Sequence, residues 1–448
     1  MNRLSIKRWR AAHALMLRLV VSGLLLLASA QAPSLHAQSI DSLYALALTN
    51  NPSIAAIDFA VGRSRALATA AAAWAPPSVG LEMSMLPPSQ PNPFGAGETM
   101  VMFEQEVPLF GQNRKMADAE TAMATAEEIR SESVRLTLRA MLVEEYAMLW
   151  EIDRQAELNR WMRELSEQIY KDIEARYALD HARQSELYAV AIDLERYDAE
   201  HRALLMERVE VQERLNLLAG RTPGDTVIVP DTLPAITLPP FPELLDALGE
   251  HPELRRMEAM ARAQESMAVA EEAMLDPMLM LRAGVSLMPD GHPVRMGELG
   301  MMIEEQHATG AIESEYVGLT VGAMISLPLA PWSRGGPEAR ADAARIAAMG
   351  ALAERDAMRR EMGAMLRAPY GAIERAAVMI AFYRDKQIPL LQQQIALLRA
   401  DYLNNRATLD QLLDAYAMLL ATRLELVMKE GERWRKWGEL MRGAGIGE

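Results

Sequence analysis

Tyr316-Val317-Gly318-Leu319-Thr320-Val321-Gly322-Ala323-Met324-Ile325-Ser326-Leu327 is the stretch that decides the fold, because from Val317 onward every second residue is aliphatic. A period of two is the mark of a β-strand with one apolar face. Three more segments follow the plan. In 79–86, Val79, Leu81, Met83 and Met85 alternate with Gly80, Glu82 and Ser84; in 278–288, Leu279, Leu281, Ala283, Val285 and Leu287 oppose Met280, Arg282, Gly284 and Ser286. In 100–109, Val101, Phe103, Val107 and Leu109 oppose Met102, Glu104 and Glu106, with Gln105 the one polar residue on the apolar side. A half-buried strand on an aqueous core alternates in the same way, so period alone does not choose between core and lipid. Length and context do more: about ten residues is the reach of a bilayer-crossing strand. Four strands fall short of the roughly eight in the smallest bacterial barrel, and open edges in lipid strand backbone groups at several kcal/mol each. The chain is therefore expected to oligomerise, with Glu82, Glu104, Glu106 and Arg282 facing a wet pore. Trp74, Phe110 and Trp332 stand at the helix-side ends, where an aromatic belt would lie.

The rest of the chain has a helical period. Residues 112–219 contain neither Gly nor Pro, and Val134, Leu138, Met141, Met148 and Ile152 recur at helical spacing. A helix over 112–178, a turn at Asp180-His181-Ala182-Arg183 and a second helix over 183–219 are predicted. The plan then repeats. Asn51-Pro52 recurs as His251-Pro252, Val107-Pro108-Leu109 as Leu327-Pro328-Leu329, and 177–187 as 402–412. The second rod, about 338–440, carries its turn at Asn404-Asn405 and is predicted to kink at Pro369 and Pro389. This divides the chain into a signal peptide (1–37), a first repeat (38–219), a proline-rich linker (220–242) and a second repeat (243–448).

Residues 1–37 join Arg3, Lys7, Arg8, Arg10 and Arg18 to the apolar run 19–30 and a small-residue end at Ala37-Gln38, with Ala28-Ser29-Ala30 as a competing cleavage site. Removing those five cations leaves 41 against 61 acids, a formal charge of about −20. That balance disfavours nucleic acid as a partner. With no cysteine, disulfides, thiolate catalysis and cysteine-held metals are excluded. None of the HExxH, GxSxG, Walker or GxGxxG patterns occurs, and Glu104/Glu106 and Glu304/Glu305 read as solvated acids. An enzyme is not expected, nor is a cofactor.

Together these residues resemble the TolC-like outer-membrane efflux factors over about 40–440. The resemblance rests on the duplication, on Leu46 to Ala56 with its Asn-Pro, on Val107-Pro108-Leu109-Phe110-Gly111, and on Tyr402-Leu403-Asn404-Asn405 followed by Leu409, Leu412, Leu413, Asp414 and Ala415. It implies a mainly α fold with a small membrane β-barrel. Three protomers share twelve strands, and their helical hairpins form a periplasmic tunnel. It also implies a passive homotrimeric duct in the outer membrane, coupled by a periplasmic adaptor (membrane fusion protein) to an inner-membrane pump. Asp180, His181, Asn404 and Asn405 would lie at the adaptor-contacting turns, with Asp180 and Asn405 where the family has glycine. Asp414 matches a periplasmic gate aspartate, while the partner position is Gln411 and Asp410 is displaced by one. Asp414 reads equally as a solvated helix-face acid.

Two features bear on cargo. Phe382-Tyr383 and Ile388-Pro389 resemble channels paired with heavy-metal resistance-nodulation-division pumps, which implies export of cations such as copper or silver. The 31 methionines, among them Met83, Met85, Met280, Met324 and the group Met288, Met296, Met301, Met302 with His292 and His307, read either as soft-metal contacts or as apolar filling. A multidrug or type I secretion duct is the alternative. From another class, a periplasmic coiled-coil adaptor or scaffold also has a helical hairpin, but a single one flanked by small β-domains.

Overall fold

The computed structural model describes residues 38–84, 98–180, 182–288, 316–328, 330–404 and 406–447. Residues 1–37, expected as a signal peptide, together with Met85, His181, Asn405 and the stretch with His292, Met296, Met301, Met302, Glu304, Glu305 and His307, lie outside them.

The first repeat runs α1 (Ile40–Asn50), α2 (Pro52–Ala72), β1 (Ser78–Ser84), β2 (Glu98–Pro108), α3 (Gln112–Tyr177) and α4 (Gln184–Ala219). The second runs α5 (Phe241–Ala247), a 3₁₀ turn, α6 (Pro252–Ala273), β3 (Met278–Met288), β4 (Tyr316–Ser326), α7 (Pro331–Met365), α8 (Arg367–Phe382), α9 (Ile388–Leu403) and α10 (Leu409–Ala444). With 66 residues, α3 is about 100 Å long at 1.5 Å per residue. It packs against α2, α4, α6 and α10. Of the residues at helical spacing, Met141 is exposed, whereas Leu138, Leu142, Tyr146, Leu149 and Trp150 are buried around the helix, as a central place requires. These five form one core with Leu43 and Ile54 of α1 and α2 and Val211 and Leu215 of α4. Burying each such aliphatic side chain contributes about 1.5–3 kcal/mol. Against α3, α10 presents Gly431 and Gly438, where a Cβ would meet Glu151 and the Ala140 carbonyl.

Proline sets the helix breaks. Between α1 and α2, Asn51 is extended at φ −73° and ψ 121°, because the residue before a proline avoids the α region. The Asn51 side chain then caps α2, accepting from the Ser53 N–H at 2.8 Å. The second long rod begins at Pro331 rather than 338, with Pro337 inside its early turns. The α7–α8 break falls at Leu366, three residues before Pro369. Before Pro389, residues Tyr383–Gln387 form a π turn. Pro389 cannot donate to the carbonyl one turn back and its ring crowds it, and the wider turn relieves both.

The segment expected as a linker has no helix or strand from 221 to 240, but α5 already starts at Phe241-Pro242. It is a strap pinned to both repeats. Val227 and Val229 join the α3 core, Gln38 N–H donates to the Ile228 carbonyl at 2.9 Å, and Trp434 Nε1–H donates to the Pro234 carbonyl at 3.2 Å.

Candidate functional site

Two places concentrate what the sequence singled out: the sheet at one end of the helices and the paired turns at the other.

The strands form one antiparallel sheet in the order β1-β2-β3-β4. Every registered pair joins even to even or odd to odd residue numbers, as in Ser78↔Glu104, Glu104↔Arg282 and Arg282↔Gly322. Parity therefore names the face across the whole sheet. The odd face carries Val79, Leu81, Met83, Val101, Phe103, Leu281, Val285, Leu287, Val317, Leu319, Val321 and Ile325, all exposed, with Val79 at 72%, Leu319 at 77% and Val321 at 76%. Such a continuous apolar surface is far more than a water-facing sheet tolerates. The even face carries Glu82, Glu104, Glu106 and Arg282; Arg282 pairs with Glu104 at 2.7 Å, while Glu82 lies opposite Met100, farther along the sheet. Both edges, β1 and β4, lack a partner among the described residues.

The polar residue on the apolar face has a local cause. Gln105, on the apolar face, turns its amide to the carbonyls of Ala75 and Glu106, each at 2.9 Å, at the helix-side end of the strand. Met83 lies on the odd face, opposite to Met280 and Met324, so these three do not form one group. Strands and helices are joined at the same level: Gln112 Nε2–H donates to the Ala273 and Asp276 carbonyls at 2.9 and 2.8 Å, and Asn113 Nδ2–H to the Ala73 carbonyl at 2.6 Å. Gly111 opens α3 at φ 71°, where no neighbour lies within 4 Å of a Cβ, so its requirement is conformational. Trp74, Phe110 and Trp332 are all exposed near these junctions.

At the far end, Ile173 of α3, Val190 of α4 and Leu409 of α10 share a core with Leu187, Tyr402 and Leu413, which holds the two turns together. Asp180 adopts the left-handed backbone at φ 60°, the one non-glycine with positive φ among the described residues. Asn404 does not, with φ −94° and ψ 10°; its Nδ2–H instead caps α9 on the Ala400 carbonyl at 2.8 Å. The Arg176 guanidinium stacks on Tyr402 at 4.5 Å, tying α3 to α9. Asp410 and Asp414 are exposed one turn apart on the same side of α10. Gln411 is occupied by structure: it forms a capping box with Thr408, with Thr408 N–H to Gln411 Oε1 at 3.0 Å and Gln411 N–H to Thr408 Oγ1 at 3.4 Å. The Thr-x-x-Gln spacing at 408–411 is the sequence signal of that cap.

No protein-family model and no curated protein matches the sequence. Solved structures match nearly the whole chain. The outer-membrane channel OprN is 18% identical, with 91% of this chain and 90% of that one covered at a TM-score of 0.69. The outer membrane protein VceC from Vibrio cholerae is 17% identical, with coverage of 91% and 96% and a TM-score of 0.67. CusC, whose structures concern folding and transmembrane channel formation, is 17% identical, with coverage of 92% and 95% and a TM-score of 0.66. The chain thus has the fold of outer-membrane channel proteins, and the likeness is one of shape.

Proposed function

We propose that this chain is the outer-membrane channel subunit of an export system, a passive duct rather than a catalyst. It is exported by its 1–37 segment and built as two repeats, 38–219 and 243–448, with 220–242 between them. Three copies pool their four strands into one twelve-stranded barrel. The odd face meets lipid, the even face lines the pore, and the long helices extend into the periplasm as a tunnel. The turns at Asp180, His181, Asn404 and Asn405 meet a periplasmic adaptor, which couples the duct to an inner-membrane pump. Asp414 and Asp410 narrow the pore at that end, and the cargo is a heavy-metal cation of the copper or silver class.

The observation that carries this reading is the sheet, apolar and bare on one face and open at both edges. In water it would expose aliphatic area worth about 25 cal/mol per Å², and in lipid as a monomer its edges would be unpaired. A closed oligomer in a membrane satisfies both requirements. The test is expression with membrane fractionation, unheated electrophoresis and planar-bilayer recording. Recovery in the outer-membrane fraction as a heat-labile trimer that conducts is expected; a monomer staying in solution without detergent would overturn the proposal.

A further inference from the structure

The even face of the sheet holds more thioethers than a wet surface calls for. Met100 and Met102 on β2, Met278 and Met280 on β3 and Met324 on β4 all share the parity of Glu104 and Arg282. Methionine as apolar filler belongs in a core, yet the side of the sheet with apolar demand is the odd one, and Met324 is about half exposed.

Two pairs are built into the register. Met280 stands directly opposite Met324, a placement that sets Cβ atoms about 5 Å apart. Met102 stands opposite Gly284, and a Cβ on that glycine would lie 3.2 Å from Met102 Cγ and 3.6 Å from Met100 Cγ. Both side chains therefore crowd into the notch that Gly284 leaves. Positions 280 and 284 are four residues apart on β3, so the two pairs are separated by about 13 Å along the strand. Between them lies Arg282, whose charge would repel a cation in transit, but Glu104 holds it at 2.7 Å.

Thioethers are soft ligands that select monovalent copper and silver, whereas harder ions need carboxylate or imidazole clusters. Among the described residues no group of three or more His, Asp or Glu could hold a metal ion. From these placements we infer that the even face is a stepped thioether track for soft monovalent cations, Cu(I) or Ag(I), with Met280/Met324 and Met100/Met102 as successive contacts. Two thioethers per step bind weakly, which suits a pore that must release what it admits. The inference rests on the even face lining the pore and gives the metal-cargo reading a place in the barrel.

The experiment uses the full-length exported protein in planar bilayers, with potassium nitrate on one side and silver nitrate on the other, and reads the reversal potential. Leucine keeps bulk and apolarity while removing sulfur, so Met100→Leu, Met102→Leu, Met280→Leu and Met324→Leu are combined. The native channel is expected to show a silver-to-potassium permeability ratio above that of the fourfold variant, whose silver preference is lost. Met324→Leu alone, at a half-exposed position, is expected to lower the ratio partially and serves if the fourfold variant does not assemble. An unchanged ratio in the variant that assembles would overturn the track while leaving the channel intact. No native current in potassium nitrate would instead overturn the pore reading, and the track with it.

Discussion

His251 sits in a set of bonds that only a neutral imidazole satisfies. Its Nδ1 accepts from the Glu253 N–H at 3.1 Å, so the Nε2–H must be what reaches the Arg442 carbonyl at 3.0 Å. Burial holds the imidazole below its ordinary pKa, with the Arg442 bond and the Glu253 carboxylate opposing. A proton on Nδ1 would face an N–H at the positive end of α6. Because the folded pKa is depressed, the stabilisation is complete above the unfolded pKa near 6.5 and is lost as pH falls through the folded value. The first repeat builds the same clasp without a titratable group: Asn51 Oδ1 caps α2 while its Nδ2–H donates to the Leu218 carbonyl at 2.7 Å. His251→Asn is therefore expected to keep the clasp and flatten the fall in melting temperature between about pH 7 and pH 5; an equal pH slope in the variant would assign that titration elsewhere. Each clasp closes on a left-handed glycine, Gly220 at φ 65° against Asn50 and Gly445 at φ 77° with a Cβ position 2.9 Å from His251 Cδ2. Gly445→Ala is expected to cost at least about 1–2 kcal/mol in denaturant unfolding, since strain and clash add. The Asn-Pro and His-Pro pair was legible in the sequence as a repeat. Their carbonyl partners, 167 and 191 residues away, were not, because no local pattern encodes a contact at that separation.

The sheet was the most legible element, and the reason is physical: parity is a property of the strand itself and survives registration against any neighbour. Alternation set Glu82, Glu104, Glu106 and Arg282 on the face opposite the aliphatic residues, and the register keeps them on one face. What it did not give was whether a residue's side chain is satisfied locally, as Gln105 is, or the sorting of methionine, which fits either face. Limits of β2 and β4 shifted by one or two residues, since pairing rather than pattern ends a strand, while β3 kept 278–288. The assignment of the odd face to lipid can be tested with neighbours on one strand. Val321 is 76% exposed on the odd face and Thr320 lies on the even one. Val321→Arg is expected to sharply reduce the trimer recovered from membranes, since a cation on the lipid face costs about 2–4 kcal/mol at mid-bilayer and is repeated in every copy. Thr320→Arg is expected to assemble and to alter conductance instead. Equal recovery of the two variants, by membrane fractionation and immunoblot, would remove the distinction between the faces.

At the scale of the whole molecule, the turns of both repeats meet at one end, and what happens there depends on the number of copies. In one chain Asp410 and Asp414 are ordinary exposed acids, one turn apart on α10. In the proposed trimer they would become six carboxylates around a narrow opening, where like charges repel one another, attract cations and hinder anions. The sequence offered Asp414 only through family likeness and treated Gln411 as its partner. The fold separates them by position: Gln411 caps the start of α10, and Asp410 lies one turn before Asp414 on the same side of the helix. The two roles predict different consequences. Asp410→Asn with Asp414→Asn is expected to lower the cation-to-anion permeability ratio in bilayers without changing thermal stability appreciably. Gln411→Ala is expected to leave that ratio unchanged while removing one half of the capping box, at about 0.5–2 kcal/mol of stability. Reversal potentials in a salt gradient, read beside melting curves for the two variants, decide between them: if the doubly neutralised channel keeps the native ratio, the acids on α10 are solvent-facing charges and the constriction lies elsewhere.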